Sequence, residues 1–221
     1  MNKVSFLLIT ILTCTFFTSC LTIEESYKFN KNGSGWMQYK IETADLAELM
    51  EKFDTDEDAS SGFDAEKLSM RNLVPGLEKI EGLSAIDLVD SPENNEYGVS
   101  FKFKSLNALN KALNHIMMDE NSPAFTYFRM DGNIITREHK MSKNNVGGEF
   151  LQKVDDSEAA AAFLQKMDYK LRYSFKQSVR VAYSMSETSI IGKKSKELQV
   201  ETDLRSLLND KNALNTSIVL K

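Results

Sequence analysis

The strictest constraint on this chain is an alternation. Tyr97, Val99, Phe101 and Phe103 interleave with Gly98, Ser100, Lys102 and Lys104, and Tyr169, Leu171, Tyr173 and Phe175 interleave with Lys170, Arg172, Ser174 and Lys176. A period of two puts the two sets on opposite faces of a β-strand, so each segment predicts a strand with one buried and one wet face. One-sided burial of this kind goes with antiparallel pairing, and the length of these two runs places them centrally or near-centrally in their sheet. Weaker alternation marks 22–29 (Ile23, Tyr27, Phe29), 36–42 (Met37, Tyr39, Ile41), 84–90, 124–130, 133–140, 179–185, 196–201 and 215–220. Proline occurs only at 75, 92 and 123, which leaves the second half free to form ladders.

Turn chemistry divides these strands into hairpins. Asn32-Gly33-Ser34-Gly35 joins the first two runs, Glu93-Asn94-Asn95-Glu96 the next pair, and Asp131-Gly132-Asn133 a third. The sequon at Asn32 reads as this turn and not as a glycan site. Between the hairpins the apolar period changes to that of a helix: Leu46, Leu49, Met50, Phe53 behind Asp45 and Glu48; 105–118 capped by Ser105; and 157–167. Shorter helices are expected over 65–74 and 203–209, and 142–155 reads as a loop. The layout is α+β: a curved antiparallel sheet of about ten strands with helices packed on one face. Its recurrence hints at a duplicated unit, but no residue-level repeat accompanies it.

The N-terminus predicts an address. Lys3 precedes the uncharged run Val4 to Phe17, whose length of about 21 Å as a helix falls short of a bilayer core of about 30 Å. It reads as a secretory signal. Ordinary cleavage after Ser19 would leave bulky Phe17 where a small residue is wanted. Ser19-Cys20 instead fits a bacterial lipobox, with Phe17 in place of the usual leucine. The expectation is a signal peptide over 1–19 and one domain over 20–221, tethered by lipid on Cys20. Cys14 is the weaker rival because it would shorten the signal, and an unlipidated Cys20 is the plain alternative. With Cys14 removed and Cys20 capped, no disulfide remains to the mature chain, whose stability must come from its core. Leu21 follows Cys20, so the outer membrane is the expected location. Losing Lys3 takes the chain from 27 bases against 32 acids to 26 against 32.

The cysteine, Glu24 and Glu25, the hairpin Phe29 to Gly35, the run Ile80-Glu81-Gly82-Leu83-Ser84 and the stretch Phe101 to Leu113 together resemble a group of uncharacterised lipoproteins of Bacteroidota-type bacteria. The resemblance covers most of the mature chain, most clearly 20–115. More remotely the chain is similar to LppM-type lipoprotein domains, for which the resemblance implies lipid binding. These motifs are structural and carry over no catalytic residue.

Candidate chemistry is sparse. Six acids and no bases lie in 54–66, and Asp54, Asp56 and Asp58 occupy positions 1, 3 and 5 of a calcium loop. Ala59 replaces the required glycine and Ala65 the bidentate glutamate, which excludes an EF-hand. A solvated, mobile acidic loop is the reading, with a looser calcium site as the alternative. His115 and His139 have no histidine or cysteine at ligand spacing and read as surface residues. No nucleophile, zinc, Walker or dinucleotide motif appears, although two distant carboxylates can still meet in three dimensions. The polar sheet face carries Lys28, Lys40, Lys102, Lys104, Lys170, Arg172, Lys176 and Arg180. It reads as a solvated face, or else as one attracted to anionic headgroups or polysaccharide. Aromatics on the other face read as core, with an apolar ligand groove as the alternative.

The acidic balance, a net charge of −5 and a pI of about 5.2, argues against a nucleic-acid partner. The sequence thus predicts a non-catalytic envelope lipoprotein, without a cofactor, which binds lipid or an envelope partner or acts structurally. A carboxylate hydrolase and calcium-dependent adhesion through the acidic loop are the alternatives.

Overall fold

The computed structural model describes residues 21–43, 70–118, 122–140, 162, 164–187 and 189–221. Cys20, the acidic segment with Asp54, Asp56 and Asp58, the helix expected at 46–53 and the loop 142–155 lie outside the described residues.

The first hairpin forms as its turn chemistry requires. β1 (Leu21–Phe29) and β2 (Gly35–Glu42) pair antiparallel. Gly33 at φ 76° supplies the left-handed residue between them. A 3-10 turn (Met70–Leu73) leads into α1 (Val74–Glu78), where Pro75 sits in the first turn with no amide to lose. This helical stretch runs past the expected end at 74. β3 (Leu83–Ser91) and β4 (Glu96–Phe103) follow, then α2 (Leu106–Met117), capped by the Ser105 hydroxyl, which accepts from the Ala108 amide. β5 (Phe128–Asp131), β6 (Ile134–Arg137), β7 (Met167–Phe175), β8 (Val179–Ser184), β9 (Ile190–Lys193), β10 (Glu197–Asp203), α3 (Leu204–Asn209) and β11 (Thr216–Leu220) complete the described elements.

The strands form two sheets where the sequence predicts one. Seven lie in the order β3-β4-β2-β1-β7-β10-β9, and four in the order β5-β6-β11-β8. Alternation reports which face of a strand is buried and not which strand lies beside it, so it cannot separate one large sheet from two that share a core. The architecture is mixed α/β, mostly strand with few helices, and neither sheet closes. β4 and β7 are both internal strands, with Phe101 and Leu171 fully buried and Lys102 exposed, as the register argument requires.

Antiparallel pairing also fails at one place. β1 and β7 run parallel and in register, setting Tyr27 beside Tyr173 and Phe29 beside Phe175. The rings stack at centroid distances of 5.5 and 5.8 Å with interplanar angles of 16° and 13°. Offset stacking of this kind adds about 0.5–1.5 kcal/mol per pair beyond area burial. β7 also claims Met167, the expected end of a helix over 157–167. β9 was not predicted, because four residues containing Gly192 show no alternation.

The inner face of the large sheet is covered by the small sheet and by α2. Phe128 of β5 packs edge-on against Tyr27 at 4.9 Å, while Leu109, Leu113 and Ile116 of α2 enter the same core. The strand expected over 124–130 begins only at Phe128, because α2 replaces part of the ladder. Asn110 donates to the Phe128 carbonyl (2.9 Å) and accepts from its amide (2.8 Å), and Asn114 does the same at Phe125 (2.7 Å each). Two asparagines one turn apart thus hold 125–128 as a neighbouring strand would.

Candidate functional site

Two places carry concentrated polar chemistry, one inside the fold and one on its polar face. The inner one starts from Glu25. Ile23, Tyr27 and Phe29 face inward, so a period of two sends Glu25 inward as well, and its side chain is fully buried. Arg137 reaches it from the end of β6 and is also fully buried. Arg137 Nη2 donates to both carboxylate oxygens, at 2.7 and 2.9 Å, and Nη1 reaches the Leu214 carbonyl at 3.4 Å. The hydroxyls of Tyr27 and Tyr169 donate to the same carboxylate. Phe128 lies beneath the guanidinium at 5.9 Å.

Burial is the largest influence on Tyr27, Tyr169, Arg137 and His139. It pushes the Tyr27 and Tyr169 hydroxyls well above the usual phenol range, and the charge on Glu25 adds to the shift. Burial is the largest influence on Arg137 and opposes its charge, but Glu25 together with Tyr173, Tyr27 and Tyr169 outweighs it, and Arg137 is held above its ordinary value. His139 sits against Arg137, with Nδ1 3.3 Å from Nη2, and 5.6 Å from the Tyr169 ring. The residue is partly exposed, but its Nε2 is shielded from solvent. Burial and then Arg137 hold its imidazole well below the usual range. It is therefore a neutral member of a buried network and not the surface residue expected. His115 differs from expectation too: it is half-buried, with Nε2 3.0 Å from the Leu73 carbonyl, and it docks α2 against α1.

Glu25 is the one acidic side chain among the buried residues described, and its charge is met by one guanidinium and two hydroxyls. Among the described residues no second carboxylate joins it. The arrangement is a clamp between the two sheets and has the opposite character to a poised acid and base. Sequence reasoning passed over both ends of it, although each charged residue sits at inward parity on its strand.

The outer site is a groove of about 670 Å³ on the polar face of the large sheet, where β2, β1, β7, β10 and β9 run side by side. Ser26, Gln38, Ser174 and Gln199 line it with hydroxyls and amides, and Trp36 contributes an aromatic surface crossed by the Lys28 ammonium at 4.6 Å. Arg172 is braced by Glu24 and Gln199, at 2.8 Å each. Lys193 and Lys194 bring the groove's cations to four, against the single carboxylate of Glu197. Lys28 and Arg172 were anticipated on this face. Trp36 and Gln199 were not singled out, and Arg180 belongs to the small sheet instead.

Cross-strand register sorts charge along this face. Level with Thr22 stand Glu42, Glu96, Asp168 and Asp203, while six residues further along β1 Lys28 stands level with Trp36, Lys102, Ser174 and Glu197. The second level lies about 20 Å from the first at the usual strand rise. Among the described residues no cluster of three or more metal-ligating side chains occurs, and no helix is long and apolar enough to cross a membrane.

No protein-family model matches the chain, and no curated protein matches it. Among solved structures it shows remote similarity to the folded domain of Mycobacterium tuberculosis LppM, determined by NMR. The identity is 15% and the TM-score 0.40, over 93% of this chain and 90% of that one.

Proposed function

We propose that the chain is a non-catalytic envelope lipoprotein, tethered by lipid on Cys20 in an outer membrane, which works by binding a partner through its polar sheet face. The open groove beside Trp36 and Lys28 carries this reading. On the opposite face Tyr27, Phe29, Phe103, Phe128, Tyr173 and Phe175 are nearly or fully buried in mutual ring contact. That filling supports external partner binding over an acyl chain held between the layers. The guanidinium and two tyrosine hydroxyls that meet Glu25 support a structural role for this buried carboxylate.

Native mass spectrometry of the protein purified from its own envelope, with and without a chelator, tests the proposal. A diacylglyceryl mass on Cys20 and retention of a non-metal partner are expected. An intact signal, an unmodified Cys20, or a turnover activity abolished by one Asp or Glu substitution overturns it. Chelator-sensitive calcium would move the function to the acidic segment.

A further inference from the structure

We propose that the groove binds a short stretch of acidic polysaccharide, sugar rings bearing carboxylates; this rests on the reading that the protein acts through its polar face. The first argument is charge. The chain as a whole is acidic, at −5, yet the groove gathers four cations against Glu197 and the Glu24 carboxylate that pairs Arg172, and this local excess of positive charge favours an anion. Lys28 meets Trp36 but no carboxylate among the described residues, and its ammonium remains available to a ligand.

The second argument is the lining between those charges. A bare inorganic anion needs donors only. This groove also presents the amide of Gln38, which donates and accepts, and the hydroxyl of Ser174, together with the capacity left to Gln199 beyond its bonds to Arg172 and Glu201 and to Ser26 beyond its bond to Glu24. Such a mixture matches the hydroxyls of a sugar. Trp36 adds an apolar surface for the C–H face of a ring, beside the ammonium that would meet its carboxylate.

The third argument separates a glycan from a bilayer. Glu42, Glu96, Asp168 and Asp203 share the polar face about 20 Å from the Lys28 level. An anionic membrane laid along the face would meet these acids together with the lysines. A narrow chain entering at the Trp36 level meets the basic end, where Glu197 is the one acid of that level.

Trp36 is the single tryptophan of the chain, so its emission reports occupancy of the groove directly. The detergent-solubilised full-length protein, purified from its own cells, is titrated with oligogalacturonate, neutral dextran oligomers, inorganic phosphate and phosphatidylglycerol vesicles. A saturable change with oligogalacturonate is expected, weakened about tenfold by Lys28→Gln and by added salt. Calorimetry repeats the measurement on Lys194→Gln, an exposed position remote from the core, where weaker binding is again expected. No saturable response, an equal response to dextran, or unchanged affinity in both variants overturns the inference. Phosphate binding as tightly as the glycan reduces the site to a simple anion site, and vesicles as the sole ligand make it a membrane surface; either result also overturns it. Intact mass at Cys20 is scored on the same sample, so a lipidated protein that ignores the glycan fails this inference alone.

Discussion

Substituting Glu25→Gln isolates the role of the buried clamp. The variant keeps the shape of the side chain and one acceptor for Tyr27 or Tyr169, but it leaves the Arg137 charge fully buried and unpaired. Arg137 cannot escape by losing its proton, since guanidinium stays charged and here sits above its ordinary value. At N···O distances of 2.7 and 2.9 Å the pair attracts by about 6 kcal/mol at an effective dielectric near 20, and desolvating the two ions costs a comparable amount. The intact pair is thus close to neutral, while breaking it costs about 3–5 kcal/mol. Against a total stability of about 5–15 kcal/mol that is a large share, equivalent to a fall of about 6–20 °C in Tm for a domain of this size. Urea unfolding followed by far-ultraviolet circular dichroism and by Trp36 emission measures it. The fourfold variant Glu25→Leu, Arg137→Met, Tyr27→Phe and Tyr169→Phe, which also removes the two hydroxyls that would otherwise lose their acceptor, should return to within about 1 kcal/mol of the parent or exceed it. A cost below about 1 kcal/mol for Glu25→Gln alone would refute the argument that the two sheets are clamped by a desolvated ion pair.

Two further outcomes follow from the same geometry. Asn110→Ala removes both partners of α2 at Phe128, leaving a buried amide and carbonyl each short of a bond, and should cost about 2–3 kcal/mol in urea unfolding; a cost no larger than an exposed Asn→Ala change would show that α2 does not substitute for a strand. His139, facing Arg137 and the Tyr169 ring with its backbone amide on Asn215, is depressed in the folded state, so the unfolded chain takes up the proton first as pH falls. Stability should be complete above about pH 6.5 and decline below it by up to about 1.4 kcal/mol per pH unit, and His139→Gln should remove that part of the slope. Identical slopes in the two proteins over pH 7 to 5 would place the acid sensitivity elsewhere.

Strand positions were legible because inward and outward residues differ so sharply along β1, β2, β4 and β7. The pairing of β1 with β7 was not, since the same Tyr-x-Phe pattern at Tyr27 and at Tyr173 states burial and says nothing of direction or neighbour. The buried clamp was present in the sequence as a conflict of parity. Glu25 falls between inward Ile23 and Tyr27, and Arg137 shares parity with inward Ile135, but charged residues are assigned to water by default, and the two opposed exceptions went unmatched. Half of the groove was visible as lysines on a polar face. Its shape required the order β2-β1-β7-β10-β9, which brings residues from 26 to 199 side by side.

β1 begins at Leu21, immediately after the residue expected to carry the lipid, and it is the middle strand of the large sheet. With Cys20 as anchor, a ligand held near Lys28 and pulled away from the bilayer loads β1 along its own axis. Its backbone hydrogen bonds to β2 and β7 lie across that axis, so the load shears both ladders together instead of peeling bonds one after another. An edge strand such as β3 or β9, tugged from its end, would unzip. A domain tethered through β1 in the way we propose would meet mechanical tension in the direction in which its sheet is hardest to tear.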